Sequence, residues 1–310
     1  MRQLTLAANL CLSRSSKTAT ADGGDALIRL VAAEEDLAFH AVVPHGNILK
    51  SVAELLVRCT PQIPVTVDQT GIVFVACDPA SGRLIRVHLH AADLLHFRFF
   101  LGGVPLRATL EATSLHATCY QLKRKDAVVL YATTAGQFGS LVDYSGRQDH
   151  TKHATICVRQ TGGGAGLAGP PPDPPVPTGY HGPGVPVPSS ILQRILREYK
   201  SLSKRIIVTG NASYIHLSAD ARVSLHRSDN LFGVLDARED DVTVELSIAT
   251  LGRVLKVTQF SPYVHIACDP GLPVRLTATL GRCGSRADIY IQQDPTSSSG
   301  GSNPTGAGMS

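Results

Sequence analysis

The chain has 310 residues, enough for two domains of ordinary size, and its 43% hydrophobic content excludes global disorder. Aromatic residues make up only 5% and Trp is absent, so the core has to be built from Leu, Val, Ile and Ala. A net charge of +4 is too small for a histone-like binder, yet it leaves room for a basic patch balanced by acidic surface elsewhere.

Residues 1–37 read as an extension, with Arg2, Arg14 and Lys17 and no acid before Asp22. That composition fits a transit peptide, an unstructured tail or a misassigned start equally. A first domain is expected over 38–160. It opens on a strand at 37–43, then a turn in which Asn47 serves as N-cap. The spacing predicts a helix over 48–58, with Ile48, Val52, Leu55 and Leu56 on one side and Lys50, Glu54 and Arg58 on the other. Strands are expected at 64–68, 71–77 and 83–90. In the last of these Leu84, Arg86, His88 and His90 alternate with Arg83, Ile85, Val87 and Leu89. A second helix is predicted over 105–119, carrying Arg107, followed by strands at 127–133 and 153–159.

Residues 161–186 are rich in Gly and Pro and read as an inter-domain connector. Their Gly164-Ala165-Gly166-Leu167-Ala168-Gly169 run matches GxGxxG. Polyproline follows it where a dinucleotide fingerprint needs a helix, so it carries no weight. A second domain is expected over 187–293. Its helix 189–203 has an apolar stripe of Ile191, Leu192, Ile195, Leu196, Tyr199 and Leu202, with Arg194, Arg197 and Lys200 opposite and Lys204 just beyond. Strands follow at 204–210, 213–219 and 221–227. A polar loop with Asp236, Glu239, Asp240 and Asp241 leads to strand 242–247, helix 248–258 with Arg253 and Lys256, and strands 262–268, 273–280 and 286–292. The Ser/Gly/Pro-rich tail 294–310 reads as disordered.

The two halves echo one another. NILKSVAELL…PVTVDQTGIVFVACD at 47–78 parallels SILQRILREY…IIVTGNASYIHLSAD at 190–220, at an offset of about 142 residues. The pattern is a twice-used unit whose helices each turn a cationic side outward. Basic side chains at about one per helical turn can follow phosphates without reading bases. Lys50, Arg58, Arg107, Arg194, Arg197, Lys200, Lys204, Arg253 and Lys256 are the DNA-facing candidates.

Enzyme chemistry finds no foothold in the sequence. Seven cysteines without a CxxC pair read as reduced buried thiols. His88 and His90 share a strand face, with no HExxH or paired Cys/His cluster beside them. No GxSxG is present. Asp78 and Asp220 stand at equivalent positions after strands and read as turn caps. No metal, cofactor or membrane span is expected.

The repeated order of strand, helix, two strands, Asp-containing turn, strand, helix and three strands resembles a DNA sliding clamp of the proliferating-cell-nuclear-antigen (PCNA) superfamily. The residues that carry the resemblance are GNILKSVAELL, TGIVFVACDPASGRLIRVHL, PSSILQRILREYKSL, SIATLGRVLKV and YVHIACDPGLPVRLTATL. CDPASGRLIRVHLHAADLLHFRF, TKHATICVRQ and YKSLSKRIIVTGN are most similar to the Hus-type subunit of the nine-one-one checkpoint clamp. A PCNA-type homotrimeric processivity factor is the alternative. The resemblance implies an α+β clamp fold, with two similar domains whose antiparallel sheets lie outside and whose helices lie on the inner face. It further implies a non-catalytic nuclear protein that encircles double-stranded DNA without sequence preference. Implied partners are two Rad-type clamp subunits, a clamp loader, and repair or polymerase factors.

Overall fold

The structure is a computed structural model, and it describes residues 37–134, 138–143, 151–156, 174–219, 231–233 and 241–293. The expectations for residues 1–36, for most of the connector, for strand 221–227, for Asp220 and for the tail lie outside those residues.

The first half runs β1 (Leu37–Val43), α1 (Gly46–Leu56), β2 (Gln62–Asp68), β3 (Gly71–Asp78), β4 (Arg83–His90), β5 (His96–Phe99), β6 (Leu106–Glu111), α2 (Ala112–Cys119), β7 (Ala127–Thr133), β8 (Phe138–Asp143) and β9 (Thr151–Ile156). The second runs β10 (Val185–Pro188), α3 (Ser189–Leu202), β11 (Arg205–Gly210), β12 (Tyr214–Ala219), β13 (Leu231–Gly233), β14 (Val242–Ser247), α4 (Ile248–Val254) with a 3-10 turn (Leu255–Gln259), β15 (Tyr263–Ala267), β16 (Val274–Thr279) and β17 (Arg286–Ile291).

Strand pairing repeats between the halves. In the first, β1 pairs with β7, β7 with β8 and β8 with β9; in the second, β10 pairs with β15, β15 with β16 and β16 with β17. Likewise β6-β2-β3-β4 is matched by β14-β11-β12-β13. The two units are welded where β17 pairs antiparallel with β4, from Arg286↔His88 to Ile291↔Arg83. This seam makes one eight-stranded sheet, β10-β15-β16-β17-β4-β3-β2-β6, flanked by the five-stranded β5-β1-β7-β8-β9 and the four-stranded β13-β12-β11-β14.

Alternation decides what each strand buries. On β17, Ala287, Ile289 and Ile291 enter the main core, while Arg286, Asp288 and Tyr290 point the other way. The core runs without a break from β1 through the seam to β17, so neither half buries its apolar face alone. On β4 the inward series begins with Arg83, only 2% exposed and paired with Asp78 across the hairpin. Asp78 also accepts from the Ser81 hydroxyl at 2.6 Å; it stands at the head of the 3-10 turn 79–81, but its carboxylate caps no backbone amide there, so its bonds are to side chains and not those of the turn cap expected of it.

Several predicted boundaries are corrected. The predicted helix 105–119 is strand β6 followed by helix α2. Leu106-Arg107-Ala108-Thr109-Leu110-Glu111 alternates with period two and pairs along β2, and helical spacing begins only with Ala112, Leu115 and Cys119. Asn47 is not the N-cap. The helix starts at Gly46, whose amide donates to the Asp126 carbonyl at 2.8 Å, and His45 takes the cap position. Glycine suits the position, because a Cβ would sit 3.0 Å from the Lys123 carbonyl oxygen and press on it. Leu202 ends α3 at 48% exposure and leaves the apolar stripe. Strands β5, β8, β10 and β13 were not anticipated.

A second bond between the halves lies at the end of the seam. The Asp93 carboxylate accepts from the amides of Cys283 at 2.7 Å and Ser285 at 2.8 Å, in the β16–β17 hairpin. Gly281 makes this approach possible, since a Cβ there would lie 2.3 Å from the carboxylate carbon. Partial burial opposes ionisation of Asp93, but these amides and the Ser285 hydroxyl hold its pKa at about 2. An unfolded Asp titrates near 3.9, so this latch stabilises fully above about pH 4 and is lost as pH falls towards 2; solvent access limits it to about 1 kcal/mol. Acid unfolding of Asp93→Asn is therefore expected to converge on the wild type between about pH 4 and pH 2. A stability gap constant across that interval would contradict the assignment.

Candidate nucleic-acid interface

The four helices form one continuous layer across both halves. Helix α2 packs on α1, α1 on the 3-10 turn 255–259, and that turn with α4 on α3. Each helix seats its apolar side on the sheets: Leu49, Val52, Leu55 and Leu56 from α1; Leu115 from α2; Leu192, Ile195, Leu196 and Tyr199 from α3; Ile248, Leu251 and Val254 from α4. Burial of each large aliphatic contributes about 1.5–3 kcal/mol, which fixes the rotation of every helix and leaves the opposite side to solvent.

Local contacts hold the layer in register. Ser189 opens α3 with its amide on the Pro262 carbonyl at 2.8 Å and its hydroxyl on the Ser261 carbonyl at 2.6 Å. Gln193 donates to the Thr258 hydroxyl at 2.6 Å, tying α3 to the 3-10 turn. Ser247 caps α4 by accepting from the Thr250 amide at 3.4 Å.

The layer is strongly polarised. Its elements carry Lys50, Arg194, Arg197, Lys200, Arg253 and Lys256 against Glu54 and Glu198. Six cations against two acids leave +4, equal to the net charge of the whole 310-residue chain, so the rest of the molecule sums to neutral.

The nine predicted residues separate by position. Arg194, Arg197 and Lys200 are exposed on the outer side of α3, and Arg253 is exposed on α4. Arg194 lies 4.0 Å from Glu198, and Arg197 donates to Gln193 at 3.3 Å; both contacts are exposed and weak. Lys50 is half-buried, its ammonium 5.6 Å from the Tyr120 ring centroid. Arg58 and Lys204 are exposed just past the ends of α1 and α3. Arg107 is corrected: it belongs to β6, the edge strand of the eight-stranded sheet opposite Thr66, and so stands off the helix layer.

Lys256 has a role that its position in the sequence did not reveal. Its ammonium meets the Glu54 carboxylate at 2.5 Å, joining the 3-10 turn of the second half to α1 of the first. Burial would raise the Glu54 pKa, but the hydrogen bond and charge of Lys256 hold it below the usual value. Ser51 adds a bond to Gln259 at 3.4 Å. Lys256 is thus first a clasp between halves and only secondarily a contributor to the field. The predicted basic helices contained this signal only as Glu54 and Lys256 separately.

The polar side chains singled out in the first half are engaged with one another. Asp78 is committed to Arg83 and Ser81, while His88 and His90 touch edge to face with centroids 5.6 Å apart on β4. Among the described residues no group of three His, Cys, Asp or Glu is placed to hold a metal ion. No described helix is long and apolar enough to cross a membrane.

No protein-family model matches the sequence, and no curated protein matches it either. The chain is similar to the PCNA2-PCNA3 complex from Sulfolobus tokodaii, with a TM-score of 0.63 at 14% identity, over 82% of this chain and 98% of that one. The doubled unit, the sheets on one side and the helix layer on the other are those of the PCNA-like sliding clamp: this chain has the sliding-clamp fold.

Proposed function

We propose that the chain is a non-catalytic sliding-clamp subunit that helps encircle duplex DNA, with its helix layer turned towards the phosphates. The observation that carries the reading is the concentration of the entire net charge on one face built from both halves. Cations on a rigid layer attract phosphates without reading sequence, and enclosure supplies retention, so individual contacts can stay weak and mobile.

The strand order supports closure of a ring. Strand β9 occupies in the first half the place that β17 occupies in the second, and β13 the place of β4. Within the chain, β17 and β4 join; among the described residues, β9 and β13 are sheet edges without a partner strand. Pairing β9 of one subunit with β13 of the next would repeat the seam between chains, giving β1-β7-β8-β9-β13-β12-β11-β14 with β5 added at its outer edge. Such a contact is head-to-tail, and head-to-tail contacts form a ring when their rotation closes. The β10 edge of the eight-stranded sheet is protected. The Ser189 amide turns inward to β15, so the alternate positions Pro186 and Pro188 face out and offer no donor for strand addition.

Within this reading we favour the Hus-type subunit of a nuclear, heterotrimeric DNA-damage checkpoint clamp, placed on DNA by a loader and recruiting repair factors. It rests on the resemblance of 77–99, 151–160 and 199–211. The second reading is a PCNA-type homotrimer that holds a polymerase. Light scattering of the complex purified from its own cell separates them. The favoured reading predicts one copy of this chain with two different subunits; three copies of the 32.9 kDa chain would establish the second. A chain that remains monomeric in every preparation would contradict both.

A further inference from the structure

The sheet face opposite the helices carries a second basic feature. On β16, Val274, Leu276 and Ala278 enter the core, so Arg275, Thr277 and Thr279 point outward; on β17 Arg286, Asp288 and Tyr290 do the same. With His265 of β15 they line a groove of about 420 Å³, to which Gly182-Pro183 and the 281–285 hairpin with Arg282 also contribute. The hairpin wall is held in place by the Asp93 carboxylate on the Cys283 and Ser285 amides.

Positive charge dominates this groove. Arg275, Arg282 and Arg286 line it, and Asp288 is the one carboxylate in the lining. Asp288 is already engaged, accepting from the Thr277 hydroxyl at 2.8 Å and from Arg286 Nε at 2.9 Å. Arg86 stands opposite Asp288 across the seam and adds a further cation. Arg275 stacks on the Tyr180 ring, with its guanidinium carbon 4.2 Å from the centroid, and donates to the Gly182 carbonyl. Its Nε is a buried donor with no hydrogen-bond partner among the described residues. The neighbouring His88 registers the same field: burial first, then Arg86, His90 and Arg286, hold its pKa below the ordinary value.

The geometry points to an extended acidic segment of a partner protein as the occupant of this groove, its carboxylates meeting Arg275, Arg282 and Arg286. Guanidinium forks match carboxylates in pairs, and the cross-strand spacing of β16 and β17 presents them along an extended chain rather than at a point. The groove faces away from the helix layer. This site stands independently of the ring reading, because it involves none of the helix cations.

Fluorescence anisotropy on the full chain tests it, using a labelled eight-residue peptide of alternating Glu and Asp, its Gln/Asn counterpart, and a labelled oligothymidylate. The acidic peptide is expected to bind and the amide peptide not. Arg282→Glu is expected to weaken binding about tenfold, since the side chain is exposed and its reversal repels the ligand. Arg275→Gln is expected to weaken it by a smaller factor, and Arg194→Glu on the helix layer to leave it unchanged. The proposal is overturned if both peptides bind alike, or if Arg282→Glu has no effect. It is also overturned if oligothymidylate binds here more tightly than the acidic peptide and is lost with Arg282→Glu, which would make nucleic acid the occupant.

Discussion

Replacing Arg194, Arg197 and Lys200 together by Glu is expected to lower the affinity of the assembled complex for duplex DNA by about 100-fold at low salt while leaving the chain folded. The three side chains are exposed on one side of α3 and take no part in the core formed by Leu192, Ile195, Leu196 and Tyr199. Their cost to folding is small and can be itemised. Glu at 194 would face Glu198 at i,i+4, and Glu at 200 would oppose the dipole in the last turn; each costs about 0.5 kcal/mol. Loss of three phosphate contacts also flattens the dependence of log K on log salt by about 2.7. Raising the salt should therefore shrink the gap between variant and wild type. A variant that binds as tightly as wild type at low salt would show that this side of α3 does not face DNA.

Leu196→Asp is expected to destabilise the whole chain by about 4 kcal/mol or more, through an unpaired charge buried in the core of the second half. Leu196 is 5% exposed, and the groups around it are apolar: Leu192, Ile206, Val208, Leu217, Leu246, Leu251 and Leu276 surround a cavity of only about 20 Å³. Nothing in that lining can accept a proton or donate to a carboxylate. Leu196→Ala calibrates the effect, at about 2–5 kcal/mol for transfer and cavity together. The seam makes a further distinction. Because β17 pairs with β4 and the core crosses between them, the two halves are expected to melt in one transition in wild type and in Leu196→Ala. Circular dichroism and calorimetry check both points. Retention of wild-type stability by Leu196→Asp, or two separate transitions in wild type, would contradict the packing described.

The parts of this fold that could be read from the sequence are those where one physical signal acts alone. The apolar period of 189–202 and the basic residues opposite it determine both where α3 lies and which side it exposes. The duplication was legible because Ile48-Leu49 and Ile191-Leu192 begin helices of the same kind, and the strands after them repeat the same hairpin. Strand β6 was not legible as such. Leu106, Ala108 and Leu110 carry good helix formers, and only pairing with β2 commits them to a strand. Arg83 shared a predicted face with Ile85, Val87 and Leu89, and the structure keeps it there, but the Asp78 pair that permits burial depends on the hairpin geometry. The clasp of Lys256 on Glu54 and the latch of Asp93 on the 281–285 hairpin join residues of different halves. Neither follows from local pattern, because each needs the seam to exist first. The outward arginines of β16 and β17 were hidden for a related reason: alternation shows that Arg275 and Arg286 face away from the core, but not that they face each other's strand across one groove.

Enclosure of DNA by a closed ring is the central claim, and topology tests it most directly. The complex purified from its own cell should be loaded on a nicked circular duplex, separated from free protein by gel filtration at raised salt, and then exposed to a restriction enzyme that linearises the circle. The complex is expected to remain on the circle and to run off once an end is created, since raised salt screens the phosphate contacts but cannot open the ring. Equal retention on circular and linear DNA would mean that the chain holds DNA by surface contact alone.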